Sequence, residues 1–151
     1  MHTKDEWPIR KMLKIGLVAG NFDVIHPGYV KMFEDAKENA CNYLVVALQS
    51  DPTIDRSEKS KPVQTVKERE YILRSIRYVD EVIHYDTEAN LLEILENYDY
   101  DIRILGTDYD VPNKTYTGCN LNKKIYFHDR NHNYSASDLK KRIADSILLK
   151  K

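Results

Sequence analysis

The stretch LKIGLVA at residues 13–19, followed by GNFDVIHPGY at residues 20–29, decides the fold. The first segment is a short apolar run without polar alternation, which predicts a strand buried on both faces. Through residues 29–40, apolar side chains then recur at steps of three and four, which predicts an amphipathic helix. A buried strand that leads directly into a helix is typical of α/β folds with a parallel sheet.

The same alternation of strand and helix continues along the chain. Short apolar runs predict further strands at residues 43–48, 81–85, 101–105 and 124–127. Thr65, Thr87 and Ser135 begin predicted helices, because a side-chain oxygen at such a position can cap a helix N-terminus. Residues 65–68 and 135–138 also have the pattern of capping boxes. The last helix should turn its apolar side chains inward, namely Leu139, Ile143, Ile147 and Leu148.

The connections between these strands are long enough for parallel pairing. The sequence therefore predicts an α/β fold, a single doubly wound three-layer domain with about five parallel strands. This domain would occupy residues 13–151, after an N-terminal extension at residues 1–12. In such sheets, ligands bind outside the carboxyl ends of the strands, near the point where the strand order reverses. A long loop at residues 106–122, after the fourth strand, is expected to help choose a ligand.

The composition excludes several classes of protein. The 23 Lys and Arg residues nearly balance the 24 Asp and Glu residues, for a formal net charge of −1. This balance argues against binding of nucleic acid or membrane through bulk charge. No apolar run approaches the ~20 residues of a membrane span, and the acidic N-terminus does not resemble a secretory signal, so we expect a cytoplasmic protein. Cys41 and Cys119 lack CxxC spacing, so they predict neither a disulfide framework nor a zinc site.

The loop after the first strand has the features of an anion site. Gly28 allows a ligand to approach the backbone closely, and the helix that begins there directs free N–H groups toward the same place. His26 lies just before this helix. The alternative is an ordinary strand-to-helix turn, in which His26 only hydrogen-bonds the backbone.

A second anion signature lies at residues 130–137 (RNHNYSAS), just before the last helix. The guanidinium of Arg130 suits phosphate, Ser135 or Ser137 can bind a phosphate oxygen, and the helix dipole favours negative charge. A plain N-cap at Ser135 is the simpler reading, and it is compatible with the anion site.

These two segments together resemble the nucleotidyltransferase family of cytidylyltransferases. The family has a GxFDxxHxGH loop and an RTEGISTT-like segment, and this chain has GNFDVIHPG at residues 20–28 and Arg130 with Ser135 and Ser137. The resemblance extends over about residues 14–145 and is strongest toward glycerol-3-phosphate cytidylyltransferase. Pro27 and the segment KPV at residues 61–63 also resemble the heptose-phosphate adenylyltransferases.

The resemblance implies a Rossmann-like domain that binds a nucleoside triphosphate together with Mg²⁺, with no dedicated protein ligand for the metal. The phosphate of a small acceptor would attack the α-phosphorus and displace pyrophosphate, so catalysis would be mostly alignment and charge stabilisation. The implied catalytic residues are His26, Tyr29, Lys61 and Arg130, and the implied acceptor-binding residues are Lys61 and Arg69. The implied nucleotide-binding residues are Gly20, Asn21, Phe22, Asp23, His26, Gly28, Asp108, Arg130, Tyr134, Ser135 and Ser137.

The chain departs from the family pattern at Tyr29, which stands where the second His of the motif is expected. A phenol can donate a hydrogen bond but carries no positive charge at neutral pH. The leading prediction is a cytidylyltransferase that activates a small phosphorylated alcohol such as glycerol 3-phosphate. The alternatives are an adenylyltransferase acting on a sugar phosphate and a nucleotide-binding protein with weakened catalysis. The family resemblance of residues 77–83 also predicts a homodimer. His84 is predicted to be structural, and His128 and His132 receive no chemical role.

Overall fold

A computed structural model of the protein describes residues 12–150. The predicted extension at residues 1–12 therefore lies outside the described residues, except for Met12. The sheet has five parallel strands, β1 (Ile15–Gly20), β2 (Tyr43–Gln49), β3 (Glu81–Tyr85), β4 (Ile102–Gly106) and β5 (Lys124–His128), in the order β3-β2-β1-β4-β5. The helices are α1 (Pro27–Asn39), α2 (Val66–Arg74), α3 (Glu88–Asn97) and α4 (Ala136–Leu148). The predicted α/β fold is confirmed.

The interior strand β2 shows why its apolar run has no alternation. All seven of its residues are buried, because helices cover both faces of the sheet. Leu44, Val46 and Leu48 share one core cluster with side chains of α1 and α2, while Tyr43, Val45 and Ala47 share the other with side chains of α3. A strand between two apolar layers has no polar face to present.

The strand order reverses between β1 and β4. The chain moves from β1 outward through β2 to β3, and then returns to the other side of β1 for β4 and β5. β1 pairs with β2 over six residues, whereas its pairing with β4 consists of Gly16 with Ile102 and Leu17 with Arg103. The loops that follow β1 and β4 therefore diverge from adjacent strands, which opens a crevice at the carboxyl edge of the sheet.

All three predicted helix caps are present, and those of α2 and α3 are capping boxes. Thr65 and Glu68 form a capping box at α2, and Thr87 forms one at α3 with Asn90. At α4 the hydroxyl of Ser135 accepts a hydrogen bond from the Asp138 N–H (3.0 Å). Within the described residues this is the only cap bond at Ser135, so the predicted capping box is a simple N-cap.

The predicted inward stripe of α4 is wrong. Ile143, Ile147 and Leu148 are 47%, 57% and 63% exposed. The periodicity correctly predicts a helix, but α4 follows the edge strand β5, and no later strand or helix within residues 12–150 covers this face.

Within the same residues, no helix combines the length and hydropathy needed to cross a bilayer.

Arg69 is predicted from the sequence to bind the acceptor, but its side chain is buried inside the fold. Its side chain on α2 is 1% exposed. The guanidinium donates hydrogen bonds to four backbone carbonyls, those of Gln64 (3.1 Å), Asn21 (2.8 Å), Gln49 (2.6 Å) and Ser50 (2.6 Å). Because these bonds use four of its five N–H donors and the side chain is buried, Arg69 holds the loops after β1 and β2 together and has no exposed face for an acceptor phosphate.

Replacing Arg69 by Lys should lower the free energy of unfolding by about 3 kcal/mol or more, since one ammonium cannot satisfy four buried carbonyls. The matched control is Arg74→Lys on the same helix, where the exposed pair with Glu70 (2.7 Å) should cost less than about 1 kcal/mol. Urea unfolding of both variants measures the difference. Equal losses in the two variants would contradict this role for Arg69.

Candidate active site

A cavity of about 900 Å³ occupies the crevice at the carboxyl edge of the sheet. It gathers side chains and backbone from the loops after β1, β2 and β4, from the segment after β5, and from the first turns of α1 and α4. Most of the predicted site residues line it, namely Gly20, Asn21, Phe22, Asp23, His26, Gly28, Tyr29, Asp108, Arg130, Ser135 and Ser137. The two predicted anion segments, more than a hundred residues apart in sequence, thus meet in one cavity.

His26 is the N-cap residue of α1. Its Nδ1 accepts a hydrogen bond from the Gly28 N–H (3.0 Å), and the side chain is 7% exposed. Burial lowers the pKa of His26, and the positive charges of His132 and Arg130 lower it further. The imidazole is therefore neutral at neutral pH, with its proton on Nε2. His26 hydrogen-bonds the backbone as a helix cap and also offers an N–H donor to the cavity. The two alternatives that the sequence left open for this residue are therefore compatible.

Tyr29 packs beside His26. The two rings are stacked with centroids 4.0 Å apart, and the Tyr29 ring meets Phe22 edge-on at 5.1 Å. Burial raises the pKa of Tyr29, although the nearby Arg130 lowers it in part. The phenol stays neutral, so this position supplies no positive charge.

A second imidazole nevertheless reaches the start of α1. A Cβ added to Gly28 would lie 2.8 Å from Cε1 of His26 and 2.8 Å from Cε1 of His132, so only glycine leaves room for both rings. Nδ1 of His132 accepts a hydrogen bond from the Tyr134 N–H (3.2 Å), which leaves the proton on Nε2. That Nε2 is buried and has no hydrogen-bond partner within residues 12–150.

His128 is held by a carboxylate rather than by a backbone N–H group. Its Nδ1 lies 2.8 Å from the carboxylate of Asp35, which also accepts a hydrogen bond from the Tyr126 hydroxyl (2.8 Å). Burial raises the pKa of Asp35, but these hydrogen bonds together hold it below its ordinary value. His128 is 6% exposed, and its Nε2 lacks a partner among the described residues. In the neutral ring this atom can accept a hydrogen bond from a ligand.

The sequence assigns no role to His128, which lies outside the motifs, or to His132, which lies within residues 130–137 but is not one of the positions that match the family pattern. A signal was available for one of them, since His128 ends β5 and the carboxyl ends of parallel strands are where ligands bind. His132 had no comparable signal, because its contact with Gly28 exists only in the folded chain.

Arg130 and Lys140 bring positive charge to the other side of the cavity. One Nη atom of Arg130 lies 3.7 Å from Asp108, and the other donates to the Tyr134 carbonyl (3.3 Å). The side chain remains 41% exposed, so it can still contact an anion. Lys140, in the second turn of α4, lies 2.9 Å from Asp23 and was not predicted.

Asp23 shapes the cavity from below its surface. Its carboxylate, 2% exposed, accepts hydrogen bonds from the N–H groups of Val63 and Gln64 (both 2.9 Å) and pairs with Lys140. Burial raises the pKa of Asp23, but the backbone hydrogen bonds and Lys140 lower it below its ordinary value. Asp23 thus fixes residues 63–64 and α4 against the loop after β1.

Two further predicted residues do not line the cavity. Lys61 is 80% exposed and lies 3.8 Å from Asp51. Tyr134 is 42% exposed; its backbone hydrogen-bonds His132 and Arg130, and its ring lies 5.4 Å from the His132 ring. Arg56 and Lys59, from the same loop after β2 as Lys61, line the cavity instead. Neither Lys61 nor Arg69 therefore lies on the wall of this cavity.

The carboxylates and imidazoles of the cavity offer few ligands for a metal ion. Within residues 12–150 no three His, Cys, Asp or Glu side chains form a group that could hold an ion. Asp108 is the half-exposed carboxylate on the cavity wall, whereas Asp23 is already occupied. This pattern suits an ion that arrives with its own phosphate ligands, since Mg²⁺ commonly uses one or two carboxylates besides phosphates and water.

Stability should fall on acidification below about pH 6.5, because the lowered pKa values of His26 and His132 mean that the unfolded chain takes up protons first. Above that pH, His26 and His132 contribute no pH dependence to the free energy of unfolding. His26→Asn keeps a capping oxygen that does not titrate, so its loss of stability between about pH 7.5 and about pH 5.5 should be smaller. Urea unfolding at both pH values measures this. An unchanged loss in His26→Asn would contradict the assignment.

Comparison with known proteins agrees with this geometry. The family model described as Cytidylyltransferase-like matches residues 17–142. The Bifunctional protein HldE of Paramagnetospirillum magneticum is 37% identical over 108 residues, which are 71% of this chain and 22% of that protein. HldE of Caulobacter vibrioides is 36% identical over 100 residues, 66% of this chain and 20% of that protein. This chain thus spans about a fifth of the length of these relatives.

Solved structures show the same fold. The lipopolysaccharide core biosynthesis protein of Thermoplasma volcanium GSS1 has a TM-score of 0.55 and 18% identity, over 88% of each chain. A protein of unknown function from Archaeoglobus fulgidus has a TM-score of 0.55 and 17% identity, over 81% of this chain and 93% of that one. At such identities the likeness concerns the fold alone. The family match over most of the chain, together with the paired motifs in one cavity, shows that this chain belongs to the cytidylyltransferase-like family.

Proposed function

We propose that this protein transfers a nucleoside monophosphate from a nucleoside triphosphate to the phosphate of a small acceptor. One observation carries the proposal: the N-terminal ends of α1 and α4, with the imidazoles of His26 and His132, converge on a single cavity. A helix N-terminus favours negative charge, and a polyphosphate is a ligand long enough to contact two of them.

The reaction needs alignment more than covalent chemistry. An oxygen of the acceptor phosphate forms a bond to the α-phosphorus, and the bond from the α-phosphorus to the bridging oxygen breaks. The electron pair of that bond leaves with pyrophosphate, so no protein atom is covalently modified. The task of the site is to hold the two phosphates in line and to stabilise the charge that moves onto the leaving group.

The cavity residues suit this task. His26 donates through Nε2, and His132 supplies the second imidazole donor that Tyr29 cannot provide. Arg130 and Ser137 would hold the leaving phosphates near the start of α4, with Lys140 adding charge. Mg²⁺ bound with the triphosphate would neutralise further charge, and Asp108 is the carboxylate placed to contact it.

Two substrate pairs are proposed. ATP with a sugar phosphate is favoured by the similarity to HldE and by the resemblance of Pro27 and residues 61–63 to heptose-phosphate adenylyltransferases. CTP with a phosphorylated alcohol such as glycerol 3-phosphate is favoured by the description of the family model. The base must be recognised by the shape of the cavity and by backbone groups, so a panel of both nucleotides and both acceptors is the natural assay.

Pyrophosphate release with ATP or CTP, Mg²⁺ and the two acceptor classes should identify one productive pair. Removing a donor of the transition state, in His26→Ala or His132→Ala, should lower kcat by about a hundredfold. Tyr29→His should restore much of the rate in the His132→Ala background, because it returns an imidazole to the start of α1. His84→Ala, outside the cavity, is the matched control and should be unaffected.

Absence of pyrophosphate release across the panel would contradict the proposed activity. Thermal stabilisation by a nucleotide without turnover would instead support a binding protein with weakened catalysis. In that case, a large gain in rate from Tyr29→His in the otherwise unchanged protein would identify Tyr29 as the cause.

A further inference from the structure

The cavity has a second arm that no predicted site residue occupies. This arm is defined by the polar lining residues Arg56 and Lys59 from the loop after β2, Glu88 from α3, Arg103 from β4 and Thr117 from the long loop after β4. These residues line the same cavity as the two anion segments.

Glu88 forms hydrogen bonds through both its backbone and its side chain. Its backbone N–H donates to Asp55 (2.9 Å), and its Oε1 accepts a hydrogen bond from the Thr117 hydroxyl (2.9 Å). The carboxylate therefore joins the loop after β2 to the loop after β4. Its other oxygen, Oε2, points toward Arg56, with Nη2 of that guanidinium 3.8 Å away.

Two polar atoms of this pair are left without hydrogen bonds. Oε2 of Glu88 and Nε of Arg56 are both buried, and neither has a hydrogen-bond partner in the described part of the chain. A buried donor or acceptor that stays unpaired is costly, more so for a charged group. One atom is an acceptor and the other a donor, and they belong to side chains in the same ion pair.

A hydroxyl group is the chemical group that complements such a pair. It donates through its hydrogen to a carboxylate oxygen and accepts from a guanidinium N–H through its lone pairs. A phosphate oxygen would satisfy Arg56 but would be repelled by Glu88, and an ammonium would have the reverse conflict. The surrounding cations Arg56, Lys59 and Arg103 outnumber Glu88, so a ligand that also carries a phosphate is favoured.

We propose that Glu88 and Arg56 bind a hydroxyl of the acceptor, and that the acceptor is a polyhydroxylated phosphate of the sugar-phosphate class. This inference rests on the proposed function, and it assigns the acceptor to a set of residues different from Lys61 and Arg69. The two loops that Glu88 joins thereby set the choice of acceptor.

Glu88→Gln tests this assignment with little change of shape. The amide oxygen can keep the bond from Thr117, while the amide nitrogen then replaces an acceptor by a donor on the cavity side. Glu70→Gln is the matched control, because Glu70 is a carboxylate of equal exposure, 28% against 29%, paired with Arg74 outside the cavity. Arg56→Lys, which removes the Nε donor, is the partner variant.

The probes are glucose 1-phosphate, which carries hydroxyls, and methyl phosphate, which carries none. Glu88→Gln and Arg56→Lys should each raise KM for glucose 1-phosphate by about tenfold or more beyond any change in KM for methyl phosphate. Equal losses with both acceptors, or no loss with either, would overturn the proposal.

Calorimetric binding of glucose 1-phosphate separates this inference from the proposed function. If the unsubstituted protein releases no pyrophosphate but binds glucose 1-phosphate in a manner that Glu88→Gln abolishes and Glu70→Gln does not, the proposed reaction fails and the hydroxyl site stands. A different result would be that glucose 1-phosphate neither binds nor reacts, while glycerol 3-phosphate reacts equally well in Glu88→Gln and Glu70→Gln. In that case the hydroxyl site fails and the proposed reaction stands.

Discussion

The rest of the structure depends on two oppositely charged side chains buried beneath the carboxyl edge of the sheet. Arg69 gathers the carbonyls of the loops after β1 and β2, and Asp23 gathers the N–H groups of residues 63–64 and the ammonium of Lys140. Burying a charge is expensive unless hydrogen bonds replace its lost hydration, and here every partner is a backbone group or the opposite charge. The cost is offset by fixing the loops after β1 and β2 to each other and to α4.

That arrangement explains how a nearly neutral protein can hold a polyanion. The loop after β1 is fixed so that His26 caps α1, and α4 is fixed so that its N-terminus faces the same cavity. Donors then come from neutral imidazoles, hydroxyls and helix ends, with Arg130 and Lys140 as the local charges. Because burial and nearby positive charges lower the pKa values of His26 and His132, these two imidazoles add no charge to the cavity at neutral pH.

Much of the fold could be predicted because its determinants are local. The five strands agree with the predicted runs at their ends to within two residues, and the caps at Thr65 and Thr87 follow from one side chain and one N–H group each. The burial of α4 could not be predicted in this way, since periodicity shows that a helix has an apolar face but does not show what covers it. The same limit applies to Arg69 and Lys61, whose charge and spacing suit a phosphate but do not reveal that one guanidinium is occupied and one ammonium lies outside the cavity. His132 and Glu88 act through partners far away in sequence, and no local pattern contains such contacts.

The most direct test of the account is a map of amide chemical-shift changes when ATP or CTP with Mg²⁺ is added to the isotope-labelled protein. The central claim is that the N-termini of α1 and α4 bind the triphosphate together. The largest changes should therefore occur at Gly28, Tyr29 and the backbone of residues 135–137. A separate groove beside α3, lined by His84, Asn90 and Asn97, provides the contrasting location. Changes concentrated in that groove, with the amides at the starts of α1 and α4 unmoved, would contradict the account.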